Sequence, residues 1–304
     1  MWEVNQMSYL ADFFVRMKRR SNYPVLIYML LNTYIIGEIL SGLFSMPFWK
    51  AYLMGLVIYG ISLMLALSPL GEWFLRWEAG CKKIKRKEYI DRLEPLFYSV
   101  YEKARKQDPS IPEDVQFYMS EDPSANAFAT GRKTVCVTKG LLGLNDAQIK
   151  GILGHEFGHL AHKDTDKILL VYVGNLIFNA IIMIINFIVL FMMAFGVGMV
   201  VRSEKISGLI THFLYTITVG FLLWIWAKVG LWLTMKTSRN NEFEADEFSF
   251  ELGYGVGLCS GLDAITGGEA PAKGVFASLA ASHPDTDDRI ARLQSLGCNY
   301  YRGR

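Results

Sequence analysis

Charged side chains are missing from long parts of this chain. Pro24 to Met46 is interrupted only by Glu38, Ala51 to Gly71 and Ile168 to Val201 by none, and Ile206 to Met235 only by Lys228. A bilayer core takes about 20 mostly apolar residues as a helix, so each stretch predicts a membrane span, and the four fall into two hairpins. The third, at 34 residues, would rise about 51 Å as a straight helix against a core of about 30 Å. It is expected to tilt, to project from the membrane, or to break near Gly196 and Gly198.

The polar remainder, residues 88–167 and 236–304, is patterned differently. Val115 to Met119 and Val135 to Thr138 read as short strands separated by Pro, Asp, Asn and Gly. A helix is predicted to start at Asn145, a good N-cap with Gln148 as its capping-box partner, and to run through DAQIKGILGHEFGHLAH. Another covers roughly Asn240 to Leu252. The predicted fold class is therefore α+β, with about four transmembrane helices and a polar domain divided by the second hairpin. The expected organisation is an N-terminal segment (1–23), a first hairpin (24–75), the first part of the polar domain (76–167), a second hairpin (168–235) and the remainder of that domain (236–304).

Composition agrees with this division. With 52% hydrophobic and 20% charged residues and a mean hydropathy of +0.23, disordered and collagen-like classes are excluded. A net charge of +2 favours no polyanionic partner, and the basic run at 82–87 lacks the interleaved aromatics of a nucleic-acid surface. Cys81, Cys136, Cys259 and Cys298 show no paired spacing, which fits unpaired thiols in a reducing compartment. The basic start of the chain (Arg16, Lys18, Arg19, Arg20) lacks the short apolar core of a cleavable signal. Those four residues before the first span, and Arg76, Lys82, Lys83, Lys85, Arg86, Lys87 and Arg92 after the second, place both termini and the polar domain on the cytoplasmic side.

The chemistry lies in His155, Glu156, Phe157, Gly158 and His159, an HExxH sequence on the predicted helix. Histidines at i and i+4 share a face and can hold one Zn²⁺, with Glu156 beside them to take a proton from water. Gly151, Gly154 and Gly158 cluster on the same helix and would admit another backbone closely. A catalytic zinc needs a third protein ligand. His162 shares much of that face, but three turns spread the side chains over about 10 Å, which points to a supporting or surface position. His212 lies within the fourth apolar stretch without a partner. Glu242 and Asp246, at i and i+4, offer a ligand together with a carboxylate for the second N–H of a ligand histidine, while Glu244 points roughly the other way.

In this ordered combination the chain resembles the M48 family of integral-membrane zinc metalloproteases, in its bacterial HtpX-like branch. That family places two spans before HExxH and two more between HExxH and an EFxAD motif, here Glu242 to Asp246. The resemblance implies a gluzincin-type zinc metallopeptidase domain with one Zn²⁺ per chain, held by His155, His159 and Glu242. Asp246 would support a ligand histidine, and Glu156 would be the general base. It extends to Asn126 to Gly131 (NAFATG), beside the cleft in the family, so that Asn126, Ala127 and Phe128 would accept substrate along an extended edge. His283, followed by Pro284, and Arg289 six residues later would add to catalysis, by stabilising the oxyanion or by orienting the ligand carboxylate. The implied function is cleavage of misfolded or damaged membrane proteins on the cytoplasmic side of a bacterial inner membrane, in stress response. Alternatives are a processing protease for a specific peptide, such as a prenylated CaaX peptide in a related seven-span branch, or a non-catalytic metal-binding scaffold. Expected partners are membrane protein or peptide substrates and lipid, not nucleic acid; the sequence leaves the oligomeric state open.

Overall fold

The computed structural model describes residues 23–165, 169–199, 203–236, 238–266 and 285–301. The first two apolar stretches form an antiparallel pair, α1 (Tyr23–Phe44) and α2 (Phe48–Ala66). The second run does not continue to Gly71 as one helix. It stops at Ala66, and Ser68 caps a separate helix α3 (Pro69–Glu78), its hydroxyl accepting from the Leu70 N–H at 3.2 Å with Pro69 in the first turn. Proline fits that position because its missing N–H would have no intrahelical partner there.

The long third stretch departs from a plain α-helix at its start, not near Gly196 and Gly198. A π-helical turn, Leu169–Val173, precedes α6 (Gly174–Met199), which runs unbroken past both glycines, and α7 (Ser203–Lys236) follows. Among the described residues three helical stretches are long and apolar enough to cross a bilayer, Tyr23–Gly42, Phe48–Ala66 and Phe213–Gly230, with Gly174–Ile188 a shorter apolar fourth. The hairpins are joined by a polar ring. Asn32 Nδ2 donates to Asn175 Oδ1 (2.8 Å), Asn175 Nδ2 to the Tyr28 hydroxyl (2.6 Å), that hydroxyl to the Trp226 carbonyl (3.0 Å), and Trp226 Nε1 to Asn32 Oδ1 (2.9 Å). Lipid offers such groups no partner, so they satisfy one another and tie α1, α6 and α7 together. Glu38 and Lys228 are both exposed and form no buried pair. The His212 side chain lies outside the described set.

The polar domain begins with α4 (Lys87–Gln107) and a sheet in the order β1 (Gln116–Ser120), β3 (Thr134–Thr138), β2 (Ala127–Thr130). β1 runs parallel to β3 and β2 antiparallel to it. Met119 and Lys82 exchange backbone hydrogen bonds beyond β1, so β2 is the edge that faces α5 (Asp146–His162), the helix carrying HExxH. α5 packs against α4, α8 (Ser238–Ser249) and α9 (Gly255–Thr266), and α10 (Thr286–Ser295) closes the far side of α8 and α9. The core between them holds Phe97, Val135, Ile149, Leu153, Phe157 and Leu293.

Two glycines set how closely α5 meets its neighbours. A Cβ on Gly151 would collide with the Leu258 backbone, and one on Gly158 would stand 2.7 Å from Ala245 Cα. Gly158→Ala should cost about 1–3 kcal/mol, the usual effect of overpacking a tight contact. Thermal unfolding in detergent checks this; an unchanged midpoint would contradict it.

Candidate metal centre

The predicted capping box is present. Asn145 Oδ1 accepts from the Gln148 N–H at 3.0 Å, and the Asn145 N–H donates to Gln148 Oε1 at 2.9 Å. From that start α5 runs through the protein interior, and burial of its second half leaves His155 only 4% and Glu156 6% exposed. The helix ends at Lys163, a left-handed residue (φ 56°). This reversal brings Asp164 back to accept from His159 Nδ1 at 3.1 Å.

His155 is held in the same way from another element. Its Nδ1 lies 2.8 Å from Asp246 Oδ1 on α8. With both Nδ1 atoms against carboxylates, the two Nε2 atoms face one another at 3.1 Å. Glu242, one turn before Asp246, brings Oε2 to 3.4 Å from His155 Nε2 and Oε1 to 3.4 Å from His159 Nε2. One ligand atom from each of the three residues falls within 4.8 Å of the others. Hydrogen bonding of Nδ1 to a carboxylate fixes the tautomer that presents the Nε2 lone pair, as at metal sites generally. Two imidazoles and one carboxylate form the donor set of a catalytic zinc with an open position, so these residues fit the metal.

Arg289, on α10 and 5% exposed, binds Asp246 with two bonds, from Nε to Oδ2 at 2.8 Å and from Nη2 to Oδ1 at 2.6 Å. Its Nη1 also stands 3.8 Å from Glu242 Oε2. Burial raises the Asp246 carboxyl, but the Arg289 guanidinium and His155 outweigh it and bring it down to about 2. Burial lowers His155 and Arg289 lowers it further, yet Asp246 and Glu242 carry it above its ordinary value. Burial likewise opposes charge on His159, and Glu242, Asp164 and Glu156 lift it well above the usual range. The surroundings that draw protons to these imidazoles are those that favour a dication, so metal uptake would release protons.

Glu156 faces the sheet. Its Oε2 accepts the Ala129 N–H at 2.6 Å. In an antiparallel pair alternate residues point their backbone groups away from the partner strand, so Ala127 and Ala129 present theirs at the outer edge of β2, which pairs with no further strand among the described residues. The Asn126 carbonyl, by contrast, accepts from the Thr138 N–H (2.9 Å) and hydroxyl (2.7 Å). Of the residues singled out from the sequence, the structure thus brings together His155, His159, Glu156, Glu242, Asp246, Arg289 and the segment containing Ala127 and Phe128. His162 lies apart, its ring edge-on to Phe248 at 6.1 Å. His283 falls outside the described residues. Sequence reasoning missed Asp164 and, within the segment Asn126 to Gly131, the contact of the Ala129 N–H with Glu156. The first follows a non-glycine left-handed residue, and the second acts through a backbone N–H that has no signature in sequence.

The family model described as Peptidase family M48 matches residues 97–296. The "Protease HtpX homolog" of Lactobacillus acidophilus is 27% identical over 308 residues, covering 92% of this chain and 98% of that protein. The "Protease HtpX homolog" of Burkholderia thailandensis is 30% identical over 267 residues, covering 78% of this chain and 86% of its own. Among solved structures, a crystal structure of S. mikatae Ste24p matches with a TM-score of 0.40 and 16% identity, over 95% of this chain and 73% of that one.

Proposed function

Because this chain belongs to peptidase family M48, we propose that it is a zinc-dependent endopeptidase of the membrane, with one Zn²⁺ per chain held by His155, His159 and Glu242. The observation that carries this reading is the convergence of two Nε2 atoms and a carboxylate, with each imidazole's Nδ1 already held by Asp246 or Asp164. When bound there, zinc supplies Lewis acidity toward the scissile carbonyl and lowers the pKa of water in its open position.

The chain's own residues do the rest. Glu156 has one oxygen engaged by Ala129 and the other left to take the proton of the attacking water and return it to the leaving amine. The outer edge of β2, with the backbone groups of Ala127 and the carbonyl of Ala129, whose N–H is held by Glu156, receives the substrate as an added strand, and Phe128 lies between them. Main-chain recognition of this kind tolerates many side chains, which suits misfolded or damaged membrane proteins as substrates. The basic residues flanking the first hairpin support a cytoplasmic site. Arg289 acts through Asp246 and Glu242 to orient the ligands, the second of the two roles considered for it above. His283 is retained as a proposed contributor on the resemblance alone.

Metal analysis of protein purified in detergent tests the assignment. One zinc per chain in the wild type, and none after His155→Ala, is the expected result; full loading of that variant would refute it. Asp246→Asn should weaken zinc binding by about 10–100-fold, as loss of a partner to a ligand histidine usually does. It should also destabilise the domain, because Arg289 would be left buried beside a neutral amide. Competition with a chelator of known affinity measures the first effect, and unchanged affinity would remove Asp246 from the site.

A further inference from the structure

α3 starts three residues after the second span ends at Ala66 and carries two unlike faces. Gly71, Glu72 and Leu75 are buried. Leu70, Trp73 and Trp77, at i, i+3 and i+7, are 64%, 58% and 66% exposed, with the two indoles stacked 6.5 Å apart. Lys82, Lys83, Lys85, Arg86 and Lys87 follow within ten residues of that ridge, all exposed. Tryptophan favours the membrane–water boundary, where a ring can be apolar at one end and wet at the other. Lysine and arginine near a span favour anionic headgroups. The ridge continues directly from a membrane-spanning helix, which supplies its occupant.

The buried face of α3 reaches the site. Glu72 Oε1 accepts the Arg132 N–H, the Thr134 hydroxyl donates to Oε2 at 3.4 Å, and Arg76 stands 3.7 Å away. Gly131 (φ 61°) allows this, since a Cβ there would run into the Glu72 carboxylate. On the opposite side the Thr165 hydroxyl donates to the Gly131 carbonyl. The β2–β3 turn is therefore gripped by one segment leaving the first hairpin and another leading toward the second. Three residues before Arg132 is Ala129, whose N–H meets Glu156.

We propose that α3 is an interfacial helix seated in the anionic headgroup layer, its Leu70–Trp73–Trp77 ridge covered by lipid and its Glu72 holding the outer edge of β2 in register with Glu156. The second half makes Glu72 a positioning residue and rests on the peptidase reading.

Full-length protein reconstituted into phosphatidylcholine–phosphatidylglycerol vesicles tests both halves. Comparing wild type with the double variant Trp73→Phe, Trp77→Phe isolates the fluorescence of the ridge. That component is expected to be quenched by lipids brominated high on the acyl chains and not by those brominated near the bilayer centre. Quenching by an aqueous quencher alone, protection from both by a protein partner, or deep quenching would each overturn the lipid surface. For the link, Glu72→Ala should speed hydrogen exchange across residues 127–138 while leaving 149–162 unchanged. It should also raise KM for an extended peptide about tenfold with little change in kcat, the order expected from losing one hydrogen bond to a carboxylate. Glu72→Gln, which keeps an acceptor for the Arg132 N–H, should recover most of that loss and also serves if the alanine variant fails to fold. Unchanged exchange, or a fall in kcat with KM unmoved, would overturn the positioning role. Absence of cleavage by the wild type would instead contradict the peptidase reading, with quenching and exchange still deciding this proposal.

Discussion

Glu156→Gln should lower kcat by about 10²–10⁴-fold, the usual contribution of a general base, while zinc content stays at the wild-type level. The separation follows from geometry. Glu156 is adjacent to His155 in sequence, but its carboxylate turns toward β2 and meets the Ala129 N–H, whereas the three candidate ligand atoms face one another. The amide retains the acceptor for Ala129 and the shape of the side chain, so the strand should stay in place and KM should change little. Only the capacity to take a proton is lost. Steady-state cleavage of an unfolded protein, with metal analysis of the same preparation, reads both quantities. Retained turnover would show that another group removes the proton.

Glu242→Ala should act in the opposite order, by removing the metal first. Glu242 is 2% exposed and lies 3.4 Å from each Nε2, and its loss leaves two imidazoles without the carboxylate that completes the donor set. Since loss of a second-sphere partner alone costs about 10–100-fold in affinity, loss of a ligand should exceed that range, and peptidase activity should vanish with the zinc. Arg289 would keep its two bonds to Asp246, so the fold around α8 and α10 should persist. Full zinc loading of the purified variant would show that the third ligand lies elsewhere.

Much of this site is legible in the sequence because its signals are local. HExxH and the capping box of Asn145 and Gln148 lie on one helix, and Glu242 with Asp246 repeats the i, i+4 logic on a second. The three glycines of α5 also announce a close neighbour, which proves to be α8 and α9. What the sequence hides depends on tertiary placement. Asp164 reaches His159 only because Lys163 turns left-handed, a conformation expected of glycine or asparagine. Glu72, which no local motif singles out, is buried against the β2–β3 turn. The unbroken apolar run to Gly71 predicts one continuous second span, whereas Ser68 and Pro69 start a separate helix. In the third stretch Gly196 and Gly198 looked like the weak point, whereas the irregular turn sits at Leu169–Val173, where the chain passes from the polar domain into the hairpin.

The most direct test of the central claim is cleavage of an unfolded model protein by the purified wild type in detergent, measured before chelation, after chelation and after zinc is returned. The account predicts cleavage that is lost with the metal and restored by about one zinc per chain, the single-ion stoichiometry of a three-ligand site. Cleavage that continues at full rate in the chelated, zinc-free protein would contradict it.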